Sequence, residues 1–169
     1  VLLGPGVTVS NIMYNGNPAA IGSFQAIGTN LGIDEGIVMT TGTVIANENG
    51  PQGPNNQAGS GVDNAYGGSA LLSSILNGEQ TYNAAILEFD FIPLGDSVNF
   101  RYIFGSEEYF MYENTQYNDV FGFFLSGPGI AGPWANGAIN LAVVPNTNPP
   151  LPITISSINS VTPINQQYF

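Results

Sequence analysis

Cysteine, histidine and lysine are absent from this chain, and Arg101 is its only cationic side chain in 169 residues. Without cysteine there are neither disulfides nor thiolate metal ligands, and the redox compartment leaves no mark to read. Without His, Cys or Lys the usual bases and nucleophiles of acyl transfer are missing, so no Ser-His-Asp, Cys-His or Ser-Lys arrangement can be built. Twelve carboxylates stand against the single arginine, a formal net charge of -11. Such a surface repels phosphate backbones and anionic lipid headgroups, because affinity for both comes from Lys and Arg. Nucleic acid is therefore not an expected partner. No apolar run approaches the roughly 20 residues that span a bilayer, so direct membrane insertion is not expected either. No signal peptide is visible, and Val1 opens into folded-looking sequence, which reads as a processed or excised piece of something larger.

What is present argues for a folded β-protein. Hydrophobic residues make up 43% of the chain and aromatic residues 11%, too many for a disordered acidic segment. The length fits a single domain over residues 1–169 that buries roughly two thirds of its unfolded surface. With charge scarce, solubility falls to Asn, Gln, Ser and Thr, a habit of secreted, repetitive cell-surface modules.

The apolar residues of VLLGPGVTVSNIMY alternate loosely, as in short strands, and Pro18 to Ile27 fits one or two helical turns. GIVMTTGTVIA (36–46) is rich in β-branched residues and reads as one strand, or two meeting at Gly42. Asn47 to Gly68 is a long Asn/Gly/Pro loop, a length usually reserved for binding or mobility. Ser69 then offers an N-cap to ALLSSIL, which Asn77-Gly78 closes with a left-handed residue. Tyr82–Ile92 and Val98–Phe104 read as hairpin arms about Leu94-Gly95, with Phe89 opposite Phe100 and Glu88 opposite Arg101. Leu87, Phe89 and Phe91 then share a core face, and Glu88 and Asp90 the polar one. Asp119–Ser126, INLAVVP (139–145) and PITISSINSV (152–161) are the remaining strands. Many short strands and at most two short helices predict an all-β fold, an antiparallel, jelly-roll-like β-sandwich.

Candidate chemistry concentrates in GSEEYFMYENTQYND. Glu107, Glu108, Glu113, Asn114, Asn118 and Asp119 gather the oxygen donors that Ca²⁺ prefers, and a bound cation would order a self-repelling loop. The plainer reading is that these acids solvate a loop; no EF-hand spacing is present. Glycosidase chemistry needs two carboxyls about 5 to 10 Å apart across a cleft, and adjacent Glu107 and Glu108 would need a distant partner such as Asp119 or Asp90. Tyr109, Tyr112, Tyr117 and, in a Gly/Pro loop, Trp134 are candidate sugar-stacking rings, weighed against simple cover for the end of the fold. GSGVDNAYGG lacks the lysine and preceding strand of a phosphate loop.

The motifs GIVMTTG (36–42), YNAAILEFDFIPLGDSVNFRYIFGSEEY (82–109), YNDVFGFFLSGPG (117–129) and INLAVVPNTNPPLPITI (139–155) together resemble the choice-of-anchor L domain of large secreted Bacteroidetes surface proteins. The resemblance covers nearly the whole chain. It implies an extracellular or cell-surface module, exported by the type IX secretion system, in adhesin-like proteins of which some serve gliding motility. It also implies further strands beyond the position of Phe169, so that a partner strand would complete the sandwich. Where the family commonly has Asp after the Tyr of the first motif strand, this chain has Asn83, which weakens a metal site relying on that position.

The resulting expectation is a non-catalytic module of a secreted adhesin-like cell-surface protein, with calcium as its candidate ion. Its expected partners are other surface-protein modules, glycans or type IX secretion components. Two alternatives stand beside it: a carbohydrate-binding module, and a structural subunit of a surface filament completed by strand donation.

Overall fold

In a computed structural model the protein is all-β, and the structure describes residues 6–45, 62–160 and 164–169. Among these residues the strands are β1 (Val7–Asn15), β2 (Ile21–Gln25), β3 (Glu35–Met39), β4 (Ile86–Pro93), β5 (Val120–Phe121), β6 (Phe124–Leu125), β7 (Ile139–Asn140) and β8 (Ile153–Thr154), with one α-helix, α1 (Ala70–Ile75). They form four antiparallel pairs, β1–β4, β2–β3, β5–β8 and β6–β7. No helix among the described residues is long and apolar enough to cross a membrane. The chain divides into two compact units. The described residues of unit 1 fall within Val1–Pro51, Gly61–Gly67 and Tyr82–Ile103, and those of unit 2 within Gly68–Thr81 and Phe104–Phe169.

Unit 1 is built from two strand pairs. Along β4, Leu87, Phe89 and Phe91 are half-buried while Glu88 and Asp90 are exposed, the alternation a half-covered strand requires. The strand pairs with β1, not with the Val98–Phe104 arm: Val9 faces Phe91 and Tyr14 faces Leu87. Residues 97–106 form no ladder. The local hairpin fails because Asp96-Ser97 is poor strand material, whereas β1 offers alternating valines to the aromatic face. Phe100 still lies edge-on to Phe91, 6.2 Å between ring centres. Arg101 donates to the carbonyl of Gly32, and Glu88 faces Met13 instead.

The β1 register slips between Ser10 and Met13. Asn11 occupies the extra position with φ 51°, and its side-chain amide donates to Asp90 Oδ2 at 2.6 Å. Asparagine suits both roles, tolerating a left-handed backbone and carrying its own donor. The expected helix after Pro18 is only a three-residue 3₁₀ turn, Pro18–Ala20, capped by Asn17 Oδ1 accepting from Ala19 N. β2 follows at once because Ile21 and Phe24 find partners across β3; the ring of Phe24 lies over Gly36, where a Cβ would sit 2.8 Å from it. β3 stops at Met39, short of the strand expected through residue 46.

Unit 2 holds the dense core. Ala142, Val144, Ile153 and Ile158 are buried together, with Phe104, Phe121 and Phe123 packed against them. α1 forms as the sequence requires: the Ser69 side chain accepts from Leu72 N, and Asn77 at φ 58° lets Gly78 N reach back to Ser73 O at 2.9 Å. The 119–126 strand is split in two around Gly122. There Asn140 Oδ1 accepts from both Phe123 N and Ala142 N at 3.0 Å, supplying hydrogen bonds that the interrupted ladder does not. Of the expected Asn47–Gly68 loop, residues 47–61 lie outside the described residues, and 62–68 run without regular structure.

Candidate functional site

The acidic stretch is a series of turns in unit 2, entered from the extended segment that ends at Ser106 and left through β5. Glu108 N donates to Ser106 Oγ at 3.1 Å, a serine turn that starts the chain curling. Tyr112 N then closes one helical turn onto Glu108 O at 2.9 Å. The far side is fastened to the turn after β8: Asn114 N donates to Ser156 Oγ, Ser156 N to Asn118 Oδ1, and Ile155 N to the Asp119 carbonyl. Asn118 is thus occupied in holding the loop down.

The chemical centre is a hydroxyl shared by two carboxyls. Buried Ser106 Oγ lies 2.7 Å from Glu108 Oε2 and 2.6 Å from Asp119 Oδ2. One hydroxyl proton can serve only one of these contacts, so the other calls for a proton on a carboxyl. Asp119 is the group that holds it. Burial pushes its pKa up to about 7; the Ser106 hydrogen bond opposes that, while the charges of Glu108 and Glu107 add to it. Beside it Tyr109 is 5% exposed, and burial, then the charges of Glu113 and Asp119, push its phenol up to about 12. It is a neutral phenol at any physiological pH.

Of the predicted metal donors, Glu108 and Asp119 meet through Ser106, with Glu107 near enough for its charge to act on Asp119; Glu113 is buried and accepts from Phe110 N at 3.3 Å, and Asn118 accepts from Ser156 N. Among the described residues no group of three or more acidic side chains could hold a metal ion.

The candidate sugar-stacking rings are also largely in use. Tyr109 faces inward, edge-on to Phe169 with centres 5.0 Å apart. Half-buried Trp134 packs edge-on to Phe124 at 5.4 Å. Tyr112 and Tyr117 pair edge-on at 5.1 Å, and only Tyr117 is exposed. As for cleavage of a glycosidic bond, Glu108 and Asp119 meet on one buried hydroxyl instead of facing each other across an open cleft.

Ser106 was not among the sequence candidates, although it carries the site. Its signal is a small hydroxyl directly before a pair of glutamates, the position from which a serine turn caps the next amide. The backbone of Phe110 is the second unforeseen feature. Its φ is 72°, a left-handed backbone rarely taken by a bulky residue, and its ring stands 51% exposed against Phe169.

Compared with known families, residues 1–169 match the profile described as the Choice-of-anchor L domain. Neither a curated protein nor a solved structure matches the chain.

Proposed function

Since the chain belongs to the choice-of-anchor L domain family over its whole length, and so to a surface-associated module, we propose that it is a non-catalytic contact module of an extracellular, adhesin-like protein. The family match carries this reading. The chemistry supports it: a chain without His, Cys or Lys has few groups to run a reaction, and its one close carboxyl pair is spent on Ser106. Export by type IX secretion and service in gliding belong to the same proposal and rest on the resemblance alone. Calcium is no part of this reading, since among the described residues no group of three or more acidic side chains is placed to hold a metal ion.

The test is a retention assay. Surfaces coated with the purified chain should hold the producing cells or their extracellular material above surfaces coated with an equally acidic control protein. Retention equal to the control sinks the adhesive reading. Antibody access to the protein on intact cells checks the extracellular location.

Strand donation is the second reading, favoured by one observation: every ladder among the described residues has just two strands, leaving outer backbone edges that a further strand could join. Its mark is assembly that grows with protein concentration and ignores added glycans. A glycan array screens the carbohydrate reading, for which Tyr117 is the one exposed ring among the predicted set.

A further inference from the structure

Asn-Gly occurs at 15–16, 49–50, 77–78 and 136–137, and the second of these pairs lies outside the described residues. Asn77 and Asn136 hold left-handed backbones, φ 58° and 57°, and the glycine amide after each is engaged: Gly78 N donates to Ser73 O at 2.9 Å and Gly137 N to Trp134 O at 3.0 Å. Asn15 differs in both respects. It is the exposed last residue of β1, extended and opposite Ile86, and Gly16 N has no hydrogen-bond partner among the described residues.

The groups around Asn15 are fixed in place. Tyr66 donates its hydroxyl to Asn15 Oδ1 at 2.6 Å. Its own backbone positions the phenol, since Tyr66 N donates to Asn83 Oδ1 at 3.0 Å and Tyr66 O accepts from Asn83 N at 2.9 Å. The hydroxyl of Tyr14, which donates to Asn17 O at 2.9 Å, occupies the space that a Cβ at position 16 would need. Packing therefore imposes glycine after Asn15, and this leaves the adjoining main-chain nitrogen without a side chain to shield it.

We propose that Asn15-Gly16 is a site of self-modification, at which the Gly16 amide nitrogen closes on the Asn15 side chain while the Tyr66 hydroxyl stabilises the charge that develops on Oδ1. Gly16 N gives its proton to solvent hydroxide and bonds to Asn15 Cγ; the carbonyl electron pair moves onto Oδ1, where the Tyr66 donor already stands. Collapse breaks the Cγ–Nδ2 bond, and that nitrogen leaves as ammonia with a proton from water. The succinimide so formed adds water at one of its two carbonyls and opens to aspartate or isoaspartate. One water is consumed and one ammonia released, with no change of oxidation state. Either product puts a carboxylate where Tyr66 now meets a neutral amide, and isoaspartate lengthens the main chain by a methylene at the last rung of the β1–β4 ladder. This chemistry needs no partner and is independent of the contact-module reading.

The experiment is chymotryptic peptide mapping, by mass spectrometry that separates aspartate from isoaspartate, after incubating the purified chain in warm, mildly alkaline buffer with and without urea. In urea, Asn15, Asn77 and Asn136 should react at similar rates. Folding should slow Asn77 and Asn136 at least about tenfold, because their glycine nitrogens are engaged, and leave Asn15 within about twofold of its unfolded rate. Tyr66→Phe keeps the ring and removes the donor. It should slow Asn15 about tenfold or more in the folded chain and leave the rate in urea unchanged. Hydrogen-exchange protection along β4 checks that the variant is folded, and the comparison of folded with unfolded chain needs no variant. The proposal is overturned if folding slows Asn15 as much as Asn77 and Asn136. It is equally overturned if Tyr66→Phe leaves the folded rate at Asn15 unchanged or raises it, which would make the Tyr66 contact a protective one.

Discussion

The two units solve the problem of a charge-poor sequence in different ways. In unit 2, Val144, Ile155 and Asn159 are fully buried, and the buried polar groups among them satisfy each other: Thr154 N donates to Ser157 Oγ at 2.9 Å and Ser157 N to Thr154 Oγ1 at 3.0 Å. In unit 1 the buried residues among those described are Ala20, Gly42, Thr43 and Ala84, and the large apolar side chains, such as Phe89 and Phe91, are only half covered. Burial of a large side chain contributes about 1.5–3 kcal/mol, while half-burial contributes correspondingly less. Unit 2 is therefore held by its interior, and unit 1 by ladders and side-chain-to-backbone bonds. The difference teaches where this family member can carry strain and shared protons: Phe110 and the Ser106 centre both belong to the better-packed unit, whose core over-determines the loop above it.

The largest test of that contrast is a pair of truncations. Ile155→Ala should cost about 2–5 kcal/mol in denaturant unfolding, and Val9→Ala on β1 about 1 kcal/mol. Equal costs would erase the difference between the units.

Proton linkage separates them next, with opposite signs. Asp119 in unit 2 binds its proton more tightly folded than unfolded, so its contribution is fully present below about pH 4 and is lost as pH rises through about 7. The thermal midpoint should fall by several degrees across that window, and Asp119→Asn should flatten the fall. A slope unchanged in Asp119→Asn would remove the proton from the Ser106 centre. Asp63 in unit 1 behaves conversely. The Ala65 amide, and then Asn83, hold its carboxyl below the usual range, so what it contributes is present above about pH 4 and disappears as pH falls further. Because Asp63 is fully exposed, that acid limb should be shallow, and Asp63→Ala should remove it.

Asparagine repairs sharpen the comparison at smaller scale. Asn140→Ala orphans two amides at the β5–β6 interruption and should destabilise by about 1–3 kcal/mol. Asn11→Ala loses the Asp90 contact at an exposed bulge and forces alanine to φ 51°, for about 1–2 kcal/mol, with protection from hydrogen exchange falling along β1 and β4 only. The smallest expected effect is calcium: millimolar Ca²⁺ against chelator should move the midpoint by less than about 1 °C, since a ligand stabilises only through a site it can bind. A rise of several degrees would show that Glu108, Glu113 and Asp119 regroup around a cation.

How much of this was legible in the sequence depends on contact range. The helix from Ser69 to Gly78 was readable cap to cap, because serine, the apolar run and Asn-Gly act over a few residues. The alternation of Leu87, Phe89 and Phe91 was readable for the same reason. Their partner was not: β1 and β4 meet across about 80 residues, and a nearby Leu94-Gly95 turn pointed to the wrong arm. In the acidic turn the residue types were visible, but not their directions. Whether six oxygen donors converge on an ion or disperse onto Ser106, Phe110 N and Ser156 is decided by the turn geometry, and the spacing does not encode it. Tyr109 and Trp134 could be read as stacking rings or as cover for the same reason, and the structure turns one inward and lays the other on Phe124.

Arg101, tied to the Gly32 carbonyl in a stretch that forms no ladder, is also the one place where a trypsin-like protease can cut. The bond to Tyr102 lies two residues before the sequence passes from unit 1 to unit 2. Trypsin therefore has one bond to find in this sequence, and the rate at which it finds it measures how often the stretch lifts.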